Sequence, residues 1–92
     1  MKLEWDTEKA ALNLQKHGVA FEDASLVFND LFRIEYYDGR EDYGEDRWVT
    51  IGLSFSMLFA VAYTVREDET IRIISARKAV FYEQKQYHNA NN

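Results

Sequence analysis

The chain contains no cysteine, no proline and only four glycines among its 92 residues. The absence of cysteine excludes a disulfide framework, a thiolate zinc site and a cysteine nucleophile. The few glycines do not form a glycine-rich phosphate-binding loop. No apolar run approaches the ~20 residues that a membrane-spanning helix needs, and the N-terminus lacks the apolar segment of a signal peptide. We therefore expect a cytoplasmic protein with no membrane partner.

Histidine is also scarce, with two residues in the chain. These histidines and the scattered acids show no recognisable metal-ligand spacing, so we predict no metal site and no cofactor. Ser54, Ser56 and Ser75 lack a histidine and an acid at the spacing of a catalytic triad. The sequence therefore disfavours a serine hydrolase.

The negative charge is concentrated in the first half of the chain. The net charge is −5, and residues 1–46 hold 5 Lys and Arg against 12 Asp and Glu. Residues 47–92 hold 6 basic residues against 4 acidic ones. Because phosphate contacts dominate nucleic-acid affinity, this balance argues against a general nucleic-acid binder. Any RNA chemistry has to rest on a local basic site in the second half, while the acidic half could meet a basic partner.

Hydrophobic periodicity predicts one α+β domain over residues 1–92. Apolar residues make up 47% of the chain, which is typical of a globular domain. Asp6 is a good N-cap for a helix over residues 7–17, and Gly18 is placed to end that helix in the left-handed conformation. A helical stripe predicts a second helix over residues 21–29. Lys2–Trp5 is an entry segment that could form an edge strand.

From Phe32 onward the apolar period changes to two, which predicts four strands. We expect Ser75 to cap a terminal helix that runs to about Tyr87. The predicted order is two N-terminal helices, a four-stranded antiparallel meander and a C-terminal helix, with the helices on one face of the sheet. The predicted strands cover residues 32–37, 47–54, 57–66 and 70–75.

Two short signatures at opposite ends of the chain place basic side chains at a helix end and after a strand. Together with the element order, they resemble the BrnT family of bacterial toxin–antitoxin modules. The residues that carry the resemblance are Trp5-Asp6, Lys9, Asn13, Lys16-His17-Gly18, Phe21, Ala24, Val27-Phe28, Gly52, Tyr63, Arg66, Ile73-Ile74-Ser75-Ala76-Arg77, Glu83 and Tyr87.

The resemblance implies a RelE-like fold and a ribonuclease toxin. It also implies a cognate antitoxin with a ribbon-helix-helix DNA-binding part, through which alone the toxin reaches promoter DNA. On this interpretation the complex represses its own promoter, and a toxin dimer forms through the antitoxin.

Arginines around one predicted hairpin could form a phosphate clamp. Metal-free RNA cleavage needs a base for the ribose 2′-OH, a cationic clamp for the transition state and an acid for the leaving oxygen. Arg66 and Arg72 flank the hairpin tip, and Arg77 is expected in the first helical turn, where its charge opposes the helix dipole. We predict Arg66 and Arg77 as catalytic and Arg72 and Arg47 as substrate-binding. The alternative is that these arginines pair with nearby acids, namely Glu67, Asp68, Glu69 and Glu83.

His17 is a candidate for proton transfer because histidine titrates nearest to neutral pH. Lys16 beside it is predicted to bind substrate phosphate. The alternative is structural, since an imidazole and an ammonium at a helix end both interact favourably with the last carbonyls before Gly18. Both interpretations stay open on the sequence.

Glu83 and Tyr87 lie one helical turn apart and could touch each other. The resemblance implies that C-terminal acids or tyrosines act as base or acid in a RelE-like site, so both residues are predicted as catalytic. The alternative is a Glu–Tyr hydrogen bond that holds the last helix on the sheet.

The sequence therefore predicts a metal-independent endoribonuclease toxin whose substrate is RNA and whose inhibitor is a small antitoxin. A second interpretation is a non-enzymatic binding module of the same fold, which acts only in complex formation and promoter autoregulation. A third is a small structural domain whose arginines are simply ion-paired.

Overall fold

A computed structural model describes residues 1–39 and 44–92, which form five strands, three α-helices and one 3₁₀ segment. Within these described residues, no helix is both long enough and apolar enough to cross a membrane. The elements in chain order are β1 (Leu3–Trp5), α1 (Thr7–His17), α2 (Phe21–Ala24), the 3₁₀ segment (Ser25–Asn29), β2 (Ile34–Asp38), β3 (Arg47–Ser54), β4 (Met57–Val65), β5 (Ile71–Lys78) and α3 (Phe81–Ala90).

The strands form one mixed sheet in the order β1-β5-β4-β3-β2. The antiparallel meander from β2 to β5 agrees with the prediction. The predicted four-stranded antiparallel sheet is nevertheless wrong in detail, because β1 adds a fifth strand that runs parallel to β5. Hydrophobic alternation shows that a segment is extended, but it does not identify a partner strand far away in the sequence.

Local capping signals account for helix α1. The Asp6 carboxylate accepts hydrogen bonds from the backbone N–H groups of Glu8 and Lys9, at 2.8 and 3.3 Å. Gly18 ends the helix with φ +69°, a conformation that glycine adopts without steric cost. The bounds of this helix agree with the prediction of residues 7–17.

The predicted second helix over residues 21–29 is wrong in part, because only Phe21–Ala24 are α-helical and Ser25–Asn29 form a 3₁₀ segment. Ala20 provides no side-chain cap. The hydroxyl of Ser25 donates to the carbonyl of Glu22 at 2.7 Å. Such side-chain bonds to the backbone compete with regular helix geometry.

The predicted junction between the last strand and the last helix is also wrong. Strand β5 continues to Lys78, and α3 begins at Phe81, so Ser75 caps no helix and Arg77 lies in a strand. The side chain of Asn13 holds this part of β5 extended. Its amide donates to the carbonyl of Ala76 at 2.8 Å and accepts from the Ala76 N–H at 3.0 Å. This long-range contact replaces the strand neighbour that β1 stops providing after Trp5.

The helices lie on both faces of the sheet rather than on one. The larger core cluster packs α2 and the 3₁₀ segment against Val61 and Ile73. A second cluster places Tyr87 of α3 against Ile51 and Ala60, which are cross-strand partners. Because successive strand residues point to opposite faces, Ala60 and Val61 mark the two sides. Helix α3 contacts mainly β3, so it covers only one end of its face.

Candidate active site

The pairing register brings arginines from β5 to the face of the sheet that α3 partly covers. Arg77 lies opposite Ala60, and Arg72 lies opposite Thr64 on the neighbouring strand. Since Ala60 and Thr64 are four residues apart on β4, their side chains share one face. The two arginines are therefore on the same side, separated by about 13 Å along the sheet at ~3.3 Å per residue.

Arg47 and Arg66 complete this arrangement. Arg47 begins β3 and shares its face with Ile51, four residues further on. Arg66 follows β4 and lines a shallow cleft together with Glu4, Glu45 and Thr64. We call Arg47, Arg66, Arg72 and Arg77 the arginine face.

Three of these arginines are joined to carboxylates. Arg77 pairs with Glu83 at 2.7 Å, as the ion-pair interpretation predicted. Arg72 instead pairs with Glu4 at 2.5 Å, and Arg47 pairs with Glu45 at 3.4 Å. Within the described residues, Arg66 forms no salt bridge. Glu67 and Asp68 line the same cleft, so Arg66 lies among carboxylates without forming a salt bridge to any of those that the structure describes.

Glu83 is bound through both carboxylate oxygens. Oε1 accepts from Arg77 and from the backbone N–H of Val80, and Oε2 accepts a second bond from Arg77. Burial by itself raises the pKa of Glu83, but the Arg77 hydrogen bonds, the Val80 N–H and the Arg77 charge outweigh it, so the pKa is lowered. An ionised carboxylate held in this way orients Arg77 and is poorly placed to take a proton from a substrate.

Tyr87 does not contact Glu83 by the Glu–Tyr hydrogen bond expected in the structural interpretation. Its side chain is buried, and its hydroxyl donates to Oδ2 of Asp30 at 2.7 Å. The same carboxylate accepts the backbone N–H groups of Leu53 and Phe32. Burial and the Asp30 carboxylate raise the pKa of Tyr87 to about 12. This bond holds α3 against the segment that precedes β2, which is a structural contact.

Lys16 and His17, at the end of α1, lie next to strand β5. They line a shallow depression that also includes Ile74 and Ser75 of β5. Ser75 lies between Arg72 and Arg77 in the same strand. Within the described residues, the His17 side chain has no hydrogen bond or ion pair that would hold it in a purely structural role.

The sequence reasoning missed a polar cluster on the opposite face. Arg33 donates to Oε2 of Glu35 at 3.2 Å and to the hydroxyl of Thr50 at 3.1 Å, and the Tyr63 hydroxyl donates to the same Oε2 of Glu35. Burial, followed by the bond to Glu35, raises the pKa of Tyr63 to about 12. The bond from Tyr63 lowers the pKa of Glu35, although burial opposes it. The alternation of Arg33 and Glu35 along the strand pattern was the one signal for this cluster.

Known proteins resemble the chain in sequence and in fold. The family model for the ribonuclease toxin BrnT of type II toxin–antitoxin systems matches residues 5–83. The 1.1 Å crystal structure of the Brucella abortus ribonuclease toxin BrnT aligns with a TM-score of 0.64 and 26% sequence identity, over 87% of this chain and 97% of that chain. No curated protein sequence matches the chain.

Proposed function

Because the chain belongs to the BrnT family of ribonuclease toxins of type II toxin–antitoxin systems, we propose that it is an endoribonuclease that cleaves RNA on the arginine face. The observation that carries this proposal is the register that brings Arg47, Arg72 and Arg77 to one side of the sheet. Guanidinium groups present a forked set of donors that matches phosphate oxygens.

Arg77 is the candidate clamp for the phosphate that is cut. Its guanidinium is oriented by the two hydrogen bonds that it donates to the Glu83 carboxylate, and the side chain is still 40% exposed, so a phosphate oxygen has access to it. Arg66 and Arg72 would then bind a phosphate further along the same RNA strand. A preorganised cation stabilises the charge that develops on the phosphorus oxygens without reorganisation at the moment of reaction.

His17 is the candidate for proton transfer to or from the ribose and the leaving oxygen. His17 lines the same depression as Ser75, and Ser75 belongs to the strand that carries Arg72 and Arg77. Lys16 lines this depression too and would be a further phosphate ligand. This assignment needs no metal ion. Within residues 1–39 and 44–92, no three His, Asp or Glu side chains form a group that could hold one.

The partner of the toxin in this proposal is a ribbon-helix-helix antitoxin made in the same cell compartment, the cytoplasm. The net charge of −5 supports the idea that the toxin itself does not bind promoter DNA and reaches it only through the antitoxin. The antitoxin would also join two toxin chains in the repressing complex.

A non-enzymatic binding module is the second candidate, and the ion pairs of Arg47, Arg72 and Arg77 favour it. Induced expression in a bacterium without the antitoxin separates the two. Growth arrest with fragmentation of RNA is expected from the ribonuclease, and normal growth with intact RNA would exclude it. Arg66→Ala is a suitable loss-of-function variant because its removal leaves no carboxylate unpaired among the described residues.

A further inference from the structure

Helix α3 leaves part of the arginine face uncovered. The helix lies across one end of the sheet, because it begins at Phe81, soon after β5, and Tyr87 near its other end binds Asp30, which precedes β2. On the part of the face that the helix does not cover, Ala62 of β4 lies opposite Ser75 of β5. Both residues are partly exposed although they belong to inner strands. We call the surface formed by these two residues the sheet floor.

Tyr82 lies on the flank of α3 that borders the sheet floor. With 3.6 residues per turn, successive side chains of a helix are about 100° apart. Glu83 and Tyr87 are buried against the sheet. The next side chains around the helix, Gln84 and His88, line a depression at the end of the sheet where β3 ends and β4 begins. Tyr82 is therefore on the other flank, which faces the sheet floor.

The ring of Tyr82 is also close to the arginine that we propose as the phosphate clamp. Tyr82 directly precedes Glu83, whose carboxylate accepts two hydrogen bonds from Arg77. Tyr82 is 68% exposed. Its hydroxyl accepts a hydrogen bond from Gln86, one turn further on, at 3.2 Å. This bond engages the edge of the ring, so the two faces of the ring can accept another contact.

An exposed aromatic ring beside an accessible guanidinium is complementary to a nucleotide. The forked donors of Arg77 match phosphate oxygens, and an aromatic ring offers a flat apolar surface to a base. Inside an RNA duplex, each base is already stacked between its neighbours. Bases that are unpaired can leave the stack and pack against an aromatic side chain instead. Tyr82 therefore fits a base of single-stranded RNA.

We propose that Tyr82 stacks on an unpaired base next to the phosphate that Arg77 binds, so that the arginine face takes single-stranded RNA. The inference rests on the proposed function of this face and adds the form of the RNA that binds there. Every base has a flat π face, so stacking tolerates any sequence. At this position the protein then distinguishes single-stranded from paired RNA and accepts all four bases.

The decisive variant is Tyr82→Ala. The probe is a fluorescein-labelled single-stranded oligoadenylate with 2′-O-methyl groups, which cannot be cleaved through a 2′-OH. Fluorescence anisotropy should show an affinity at least about fivefold lower than that of the wild type, the lower end of the effect of removing a stacking ring. Tyr82→Phe keeps the ring and should retain the affinity.

The matched control is Phe81→Ala. Phe81 is 78% exposed, but it lies two residues before Glu83 and therefore on the side of the helix away from the sheet. Its removal should leave the affinity for the probe unchanged. Circular dichroism checks that all three variants are folded.

Salt and pairing separate stacking from phosphate contacts. The loss in Tyr82→Ala should be the same at low and high salt, because no charge is removed, whereas Arg66→Ala should make binding less dependent on salt. Annealing the probe to oligouridylate should weaken binding by the wild type and remove its advantage over Tyr82→Ala.

Equal affinities of the wild type and Tyr82→Ala for the single-stranded probe would overturn the inference, even if the wild type cleaves RNA. So would normal RNA affinity of Tyr82→Ala together with weaker binding of the antitoxin encoded in the same operon, since the ring would then be a protein contact. A wild type that binds the probe as expected but cleaves no RNA would refute the proposed ribonuclease and leave the stacking role of Tyr82 in place.

Discussion

The guanidinium of Arg77 on β5 and the carboxylate of Glu83 on α3 are joined by two hydrogen bonds of 2.7 and 2.9 Å. The carboxylate is 8% exposed, whereas the guanidinium is 40% exposed. Glu83 is therefore the buried member of the pair, and Arg77 is the member that solvent reaches. Removing Arg77 would leave a buried acceptor with only the Val80 N–H, at a cost of roughly 1–3 kcal/mol of stability. Arg77→Ala is thus a poor test of catalysis by itself.

Arg77→Lys separates the two effects. Lysine keeps a positive charge for Glu83 but loses the forked geometry that binds two oxygens at once. We expect a cleavage rate that is 10²–10³-fold lower, corresponding to about 2.7–4 kcal/mol for one lost transition-state donor. Single-turnover cleavage of an RNA substrate measures the rate, and circular dichroism checks that the variant is folded. A folded variant with the wild-type rate would remove Arg77 from the mechanism.

Glu83→Gln should change how stability depends on pH. The pKa of Glu83 is lowered in the folded state relative to its ordinary value of 4.5. Its ion pair therefore contributes stability above that value and loses it as the pH falls through the lowered pKa. Thermal midpoints measured from neutral to acid pH should fall less steeply for the variant than for the wild type. Parallel curves would show that Glu83 has the same pKa in the folded and unfolded states.

His17→Asn tests whether this residue transfers protons. A helix-ending role predicts a lower melting temperature and an unchanged rate per folded molecule. The catalytic role predicts a lower rate and a changed pH profile around pH 6–7, where histidine ordinarily titrates. The pH dependence of kcat/KM for both proteins distinguishes these results. Lys16→Ala is the control, because it should weaken phosphate binding without changing the pH profile.

Tyr63→Phe tests which face of the sheet carries the chemistry. The change removes the hydroxyl that donates to Glu35, so the folded state should lose about 1 kcal/mol, the usual value for one hydrogen bond. Because Tyr63 belongs to the core on the α2 side, the cleavage rate of the folded variant should stay at the wild-type level. A large loss of rate with little loss of stability would move the active site to the Arg33–Glu35–Tyr63 cluster.

The acidic segment before β3 is predicted to speed antitoxin binding. Six acids lie between Glu35 and Asp46. Glu41 and Asp42 lie outside the described residues, Glu45 pairs with Arg47, and Asp46 accepts the Tyr37 hydroxyl at 2.9 Å. Replacing Glu41 and Asp42 by Gln and Asn leaves those two contacts in place. Stopped-flow association should then be several-fold slower at low salt and should converge with the wild type at high salt.

Local signals predicted the elements, whereas distant contacts decided how they are joined. The cap at Asp6 and the stop at Gly18 act within one helix, so they could be recognised from neighbouring residues. The end of β5 could not be recognised from its neighbours in this way. Asn13, 63 residues away along the chain, holds Ala76 in the extended conformation. The same limit applies to the parallel pairing of β1, because its partner strand β5 begins at Ile71, far away along the chain.

The candidate site was predicted in its residue types but not in its geometry. Arginines around one hairpin were recognisable, and the register then placed Arg47 with them. The ion-pair interpretation named Glu83 among the possible partners of these arginines, whereas nothing in the sequence spacing indicated Asp30 as the partner of Tyr87. Which carboxylate pairs with which arginine is decided by the tertiary fold, so it could not be deduced along the chain.

Strand β5 is enclosed on both edges, by β4 on one side and by β1 and Asn13 on the other. The backbone that carries Arg72 and Arg77 is therefore no edge strand, and local fraying does not reach it. We infer that amide protons of Ile73 and Ala76 exchange with solvent only when the whole domain unfolds. Heating or denaturant should then abolish phosphate binding and secondary structure in a single transition, with no folded but inactive species between them.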